Sequence, residues 1–449
     1  MTLLDTTAAD LRRRVDEAQA EWRCASVAAA LVRHGVRVLD HAVGLADAEA
    51  TSGPDPETQY RIGSITKTFT AVLVMGLRDE GRLRLDDRLD SHLPGTRHGD
   101  VTLRQLLAHL SGLQREPVGD VWWTLDLPDR DALLAGLDHA ESVSPPHLRW
   151  HYSNLAYAVL GEVVARLDGR PWEEALRVRL LEPLGMARTS LEPTPPRAQG
   201  YLTDPYADRL LREPDAPTRA LAPAAQLWST TGDVARWAAF IADPPAEVLA
   251  ADTLEEMCQP QVMYDVDHWT QAWGVGLMLA RRGDRVLVGH EGAMPGFLAG
   301  VWVARADSVG AVALANATSG AQPGTLAADL VHALLDREPS PAEPWLPGPP
   351  VDPAAEPVLG RWWSEGNEFV FSWRAGHLDA RMVGAPGRPP AVFAPDGADS
   401  WRTVSGREAG ERLVLVRDPA GTVVRMHWAT YAFTRDPEVF SPHPKEARD

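Results

Sequence analysis

Arg61-Ile62-Gly63-Ser64-Ile65-Thr66-Lys67-Thr68-Phe69 places a serine three residues before a lysine, in a chain that otherwise avoids lysine. Lys67 and Lys445 are its two lysines, and every other basic position apart from histidine is arginine. Arginine keeps its proton inside a protein, whereas a buried lysine can lose it and act as a base. After Ser64 an apolar stripe of Ile65, Phe69, Val72, Leu73 and Leu77 runs to Gly81, which predicts a helix. Ser64 then stands at the helix start, with Lys67 one turn on and on the same face. Burial and the positive helix end both lower the lysine pKa, so this stretch predicts a hydroxyl beside a neutral amine able to take its proton.

The whole chain is compatible with an enzyme of that kind. Its 449 residues predict two domains, and 45% hydrophobic with 24% charged residues is ordinary for a globular protein. A net charge of −18 disfavours nucleic acid and anionic membrane surfaces as partners. Cys24 and Cys258 cannot build a disulfide framework or a cysteine metal site. Neither a signal peptide nor a membrane-spanning run is legible, and the expectation is a cytoplasmic protein with free thiols and no membrane insertion. There is no His-Glu-x-x-His, no paired cysteines and no glycine-rich phosphate loop, so neither a metal nor an organic cofactor is expected.

Outward from Ser64, Leu11 to Trp22 reads as an amphipathic helix. Ser26–Arg33 and Val36–Val43, joined across His34-Gly35, read as a hairpin. Residues 65–240 are mostly helical. A capping box at Thr102/Gln105 opens a helix that runs to Ser111-Gly112; further helices are expected over 155–167 and 231–241. Proline-rich loops such as 192–223 could wall a cleft. Strands are expected at 273–279, 285–289, 297–304 and 310–316, then a helix at 326–335. An initial hairpin, inserted helices and returning strands predict an α+β fold: an antiparallel sheet completed by both halves of the chain. Residues 1–336 form this first domain, 337–357 a proline-rich linker, 358–436 a second, all-β barrel domain, and 437–449 a tail. Its strands are read at 368–373, 377–382, 412–417 and 422–429, with Asp418-Pro-Ala-Gly421 as a hairpin turn.

Two further stretches supply partners for Ser64. In Trp150-His151-Tyr152-Ser153-Asn154, Tyr152 can exchange a proton with Ser64, its pKa lowered by a nearby ammonium. Asn154 can hydrogen-bond a substrate amide while holding Lys67. Gly289-His290-Glu291-Gly292-Ala293-Met294-Pro295-Gly296 closes one strand and leads to another, with glycines that let a substrate backbone approach. There the N–H of Ala293 can join that of Ser64 as an oxyanion hole. Taken alone, each stretch reads more readily as core, surface or structural residues than as part of a site.

Ser64/Lys67, Tyr152/Asn154 and His290/Gly292, in that order, resemble the serine β-lactamase and penicillin-binding-protein superfamily, in its class C β-lactamase, D-aminopeptidase and esterase branch. Leu106-Leu-Ala-His-Leu-Ser-Gly112 resembles the family's LL-x-H-x-SG loop, and Ser229 to Arg236 its ST-x-x-D-x-x-R helix entry. The resemblance covers about residues 10–336. It implies Ser64 as nucleophile, Lys67 and Tyr152 as acid/base pair, Asn154, Gly292 and Ala293 around the substrate, and His290 lining the cleft. His290-Glu291-Gly292 replaces Lys-Thr-Gly, whose lysine helps bind the substrate carboxylate in β-lactam-hydrolysing members. Members with His-x-Gly include esterases, D-amino-acid peptidases and cyclases that release nonribosomal peptides. From Leu359-Gly-Arg-Trp-Trp363 to Arg435 the chain resembles a lipocalin-like domain appended to some of these hydrolases. Arg435 there could hold an acyl or carboxylate group at the cleft or form a domain-interface ion pair.

The expectation is therefore a serine hydrolase or acyltransferase acting on amide, ester or thioester substrates, small molecules or peptides, free or carrier-bound. One alternative is a thioesterase/cyclase closing a nonribosomal peptide onto its own amine. Another, of a different class, is a non-catalytic binding or sensor protein on the same scaffold.

Overall fold

The computed structural model describes residues 2–339 and 344–439. It divides into two compact units, Met1–Ser340 and Pro341–Asp449. Residues 340–343 of the expected linker, and 440–449 of the expected tail with Lys445, lie outside the described residues.

In the first unit, strands Ser26–Arg33 and Val36–Gly44 pair with strands from the far end of the segment, making the expected antiparallel sheet of eight strands. Ser26–Arg33 is buried throughout, because both faces of the sheet are covered. Its alternate residues divide between two cores. Val27, Ala29 and Leu31 join helices Asp5–Trp22 and Pro323–Arg337 on one side, while Ala28, Ala30 and Val32 face the larger core on the other. That larger core holds helices Thr66–Asp79, Asn154–Asp168 and Thr231–Ala242. Phe69 stacks on Trp237 with centroids 3.7 Å apart, and each aromatic buried in this way contributes about 1.5–3 kcal/mol.

Several elements depart from expectation. The helix opened by the Thr102/Gln105 capping box ends at Leu107, because His109 turns into the left-handed region at φ +57°. The run 273–279 is two strands, Gln271–Trp273 and Met278–Arg282, split where Gly276 takes φ +79°. Arg285–Met294 is one continuous strand, so His290-Glu291-Gly292 lies within the sheet and not beyond its end. It pairs residue for residue with Phe297–Ala304.

The second unit is an eight-stranded antiparallel meander in chain order. Trp363 and Thr434 exchange backbone hydrogen bonds of 2.8 and 3.0 Å, tying its first strand to the chain just past its last and closing the barrel. Trp362, Phe371, Phe393, Trp401 and Phe433 fill it. The sequence reading recovered half of these strands. Short segments such as Gly360–Ser364 and Ala391–Gly397 carry too little alternation to stand out alone. Among the described residues no helix is long and apolar enough to cross a membrane.

Candidate active site

Gly63–Ile65 forms a 3-10 turn that leads into helix Thr66–Asp79, so Ser64 sits just ahead of the helix and Lys67 in its first turn. The turn is pressed against strand Arg285–Met294. A Cβ on Gly63, which has φ +52°, would stand 2.6 Å from the nitrogen of Ala293. A Cβ on Gly292 would stand 1.9 Å from the oxygen of Ile62 and 3.2 Å from the nitrogen of Ser64. Both glycines are therefore required by the protein's own packing. This corrects the reading of Gly292 as room for a substrate backbone: its bare face is filled by the Ile62 carbonyl. The same contact brings the Ser64 and Ala293 amides to one place.

Lys67 is wholly buried, and its Nζ lies 3.0 Å from Ser64 Oγ, 2.7 Å from Asn154 Oδ1 and 2.9 Å from the carbonyl oxygen of Ala224. Burial holds its pKa well below the ordinary lysine value, with Glu116 pulling weakly the other way. Two of its partners are carbonyls that can only accept, so two of its N–H groups go to them, and loss of the third proton would leave its lone pair for the Ser64 hydroxyl. Asn154 is fixed in this orientation because its Nδ2 donates to Glu116 Oε1 at 2.6 Å.

Tyr152 lines the same cleft as Ser64, near enough for the serine to influence its pKa, and the Lys67 nitrogen lies over its ring, 4.7 Å from the centroid. The expectation of a lowered tyrosine pKa is corrected. Burial pushes it up, and the nearby Ser64 offsets only part of that. The phenol therefore keeps its proton at neutral pH, in the same site as the Ser64 hydroxyl and the buried Lys67 amine.

His290 is buried beside Trp273, ring centroids 5.3 Å apart, and its Nδ1 is bonded to the carbonyl oxygen of Glu291. A carbonyl accepts, so Nδ1 carries the hydrogen. Burial, with Lys67 close by, lowers the pKa of His290 to about 3. A neutral imidazole thus stands where Lys-Thr-Gly would put an ammonium. Ser64, Tyr152, Asn154, His290, Gly292 and Ala293 all line one cleft of about 1180 Å³, walled by Trp122, Trp123, Trp150, Tyr264 and Trp273. Glu213, from the proline-rich loop region, lines it too and accepts from Thr318 Oγ1 at 2.6 Å.

Arg435 is engaged by carbonyls of its own domain. Its guanidinium donates to the carbonyls of Pro357, Leu359 and Arg361 and lies 3.8 Å from the Trp362 ring centroid. Carbonyls thus take the place of the carboxylate that an ion pair would need. Glu116 and Arg115 are among the residues of this site that escaped the sequence reading. Glu116 fixes Asn154, and Arg115 lies 5.0 Å from the centroid of the Tyr152 ring. They sit in a loop just after Ser111-Gly112, where no periodicity marks them.

Against a family model described as "Beta-lactamase", residues 11–336 match. The chain belongs to the beta-lactamase family. Residues 351–435 match a second model, described as "Domain of unknown function (DUF7586)". Penicillin-binding protein 4 of Amycolatopsis lactamdurans is 32% identical over 339 residues, covering 69% of this chain and 86% of that protein. The octameric penicillin-binding protein homologue from Pyrococcus abyssi shares the fold at a TM-score of 0.66 and 23% identity, over 96% of this chain and all of that one. SurE, solved with D-Leu, is 26% identical with a TM-score of 0.61, over 96% and 100%. The family is one of serine hydrolases of the β-lactamase and penicillin-binding-protein type, which accords with the Ser64–Lys67–Tyr152 geometry.

Proposed function

We propose that Ser64 attacks amide, ester or thioester carbonyls and forms an acyl-enzyme, on small peptides containing D-amino acids or on carboxylic esters, free or carrier-bound. The observation that carries this reading is the wholly buried Nζ of Lys67, 3.0 Å from Ser64 Oγ, where burial lowers its pKa and lets it act as a base. Lys67 takes the hydroxyl proton as the C–O bond forms, and Tyr152 returns a proton to the leaving group. The Ser64 and Ala293 amides hold the oxyanion, and one such donor contributes about 3–4 kcal/mol to lowering the barrier. Asn154, His290 and Gly292 border the bound acyl group. The D-residue preference draws support from the similarity to SurE, solved with D-Leu. Because His290 is neutral, substrates whose binding depends on a carboxylate–ammonium pair, such as β-lactams, fit this site poorly. Cys24 and Cys258 are free, in keeping with work in the cytoplasm.

The size and aromatic walls of the cleft favour a second reading, in which the substrate's own amine resolves the acyl-enzyme and closes a peptide ring. One experiment tests both. Wild type and Ser64→Ala are exposed to p-nitrophenyl esters, D- and L-amino-acid amides, a cephalosporin and peptidyl thioesters, with adducts and products read by intact mass. A Ser64-dependent adduct with D-configured donors supports the proposal. Absence of any such adduct would leave a non-catalytic binding protein on this scaffold. A product containing added water marks hydrolysis, and a peptide released without it marks cyclisation.

A further inference from the structure

His109, the histidine of the LL-x-H-x-SG stretch, has so far no part in the chemistry, yet it is fully buried against it. Its ring lies 4.4 Å from that of Tyr152, 4.5 Å from Trp273 and 5.2 Å from Tyr157. Its Nδ1 accepts from the backbone N–H of Ser153 at 3.0 Å, and its carbonyl accepts from the N–H of His151 at 2.9 Å. The loop that follows continues the clamp. Gln114 O accepts from Ser153 Oγ at 2.8 Å, and Arg115 O from the N–H of Asn154 at 2.7 Å. Ser153 is the residue between Tyr152 and Asn154, so whatever holds its amide sets where both neighbours stand.

We infer that His109 is a positioning residue: its bare Nδ1 fixes the Ser153 amide and so the placement of Tyr152 and Asn154 around Ser64 and Lys67. This rests on the Ser64 reading above. Within the clamp, the His109–Ser153 bond depends on a side-chain lone pair that protonation removes; the accepting carbonyls of Gln114 and Arg115 have no such sensitivity. Burial first, and then the nearby Arg115 guanidinium, lower the pKa of the ring and keep it neutral. In a neutral ring whose Nδ1 accepts, the hydrogen sits on Nε2, among the rings of Trp150, Tyr152, Tyr157 and Trp273.

Asparagine and glutamine separate positioning from packing, since both remove the ring. The side-chain oxygen of asparagine falls where Nδ1 was, and that of glutamine one bond farther out, where Nε2 was. With the acyl donor that works best on wild type, His109→Asn is expected to keep kcat within about tenfold. His109→Gln is expected to lose about a hundredfold in kcat with little change in KM, the scale set by a misplaced catalytic group. Equal rates for the two variants in cooperatively melting protein would overturn the inference. Ring 15N shifts of wild-type His109 give a reading independent of turnover and of how either variant folds: a bare Nδ1 at neutral pH supports the role, and a protonated Nδ1 ends it. The two readings also fail separately. Wild type without any Ser64 adduct removes the nucleophile reading and the role built on it, whereas an active enzyme with matched Asn and Gln variants removes the role of His109 alone.

Discussion

At the scale of residues, the decisive fact is that burial lowers the pKa of Lys67, 3.0 Å from the Ser64 hydroxyl, and so makes its amine available as a base. Acylation needs the free amine, so kcat/KM is expected to rise with pH through the lowered lysine pKa and then level off. A rate that falls across that range would contradict the assignment. Stability carries the same signature. Unfolded Lys67 holds its proton up to about 10.5, whereas the folded chain releases it earlier. Between those points the unfolded state binds more protons, so stability rises with pH. Lys67→Met abolishes acylation and lacks this component, and denaturation at several pH values should show wild type gaining on the variant as pH rises from the lowered lysine pKa toward 10.5. Tyr152→Phe keeps the ring that packs on His109 and loses the proton donor, so stopped-flow acylation should slow by about 10²–10⁴-fold with the melting temperature nearly unchanged.

At the scale of elements, the site depends on a close approach between the Gly63–Ile65 turn and strand Arg285–Met294. Gly292→Ala puts a methyl 1.9 Å from the Ile62 oxygen, and the two elements must separate. The expected outcome is a loss of about 10²–10³ in kcat, as when one oxyanion donor is removed, with binding of a non-reactive analogue much less affected. Ser-x-x-Lys, Tyr-x-Asn and His-x-Gly were legible because each is a short string. What the strings did not reveal is that the last of them lies inside a continuous strand. Its glycine accommodates the protein's own backbone, a constraint from a turn more than two hundred residues earlier.

At the scale of the whole molecule, the two units have separate cores and are expected to melt as separable transitions. Arg435→Ala removes donors to three carbonyls and the contact with Trp362, and should lower the barrel's transition by about 1–3 kcal/mol. Calorimetry that shows the first unit's transition falling instead would contradict that assignment.

The sequence by itself determined the family's chemistry, the α+β layout with its sheet completed from both ends of the chain, and a separate all-β domain. It could do so because local spacing and hydrophobic periodicity are properties of short stretches. Only the tertiary structure decided protonation states and clamps. Whether Tyr152 titrates low or high depends on its burial, which raises its pKa. Glu116, Arg115 and His109 matter through contacts that no spacing along the chain encodes, because desolvation and hydrogen-bond partners arise only when distant segments are packed against one another.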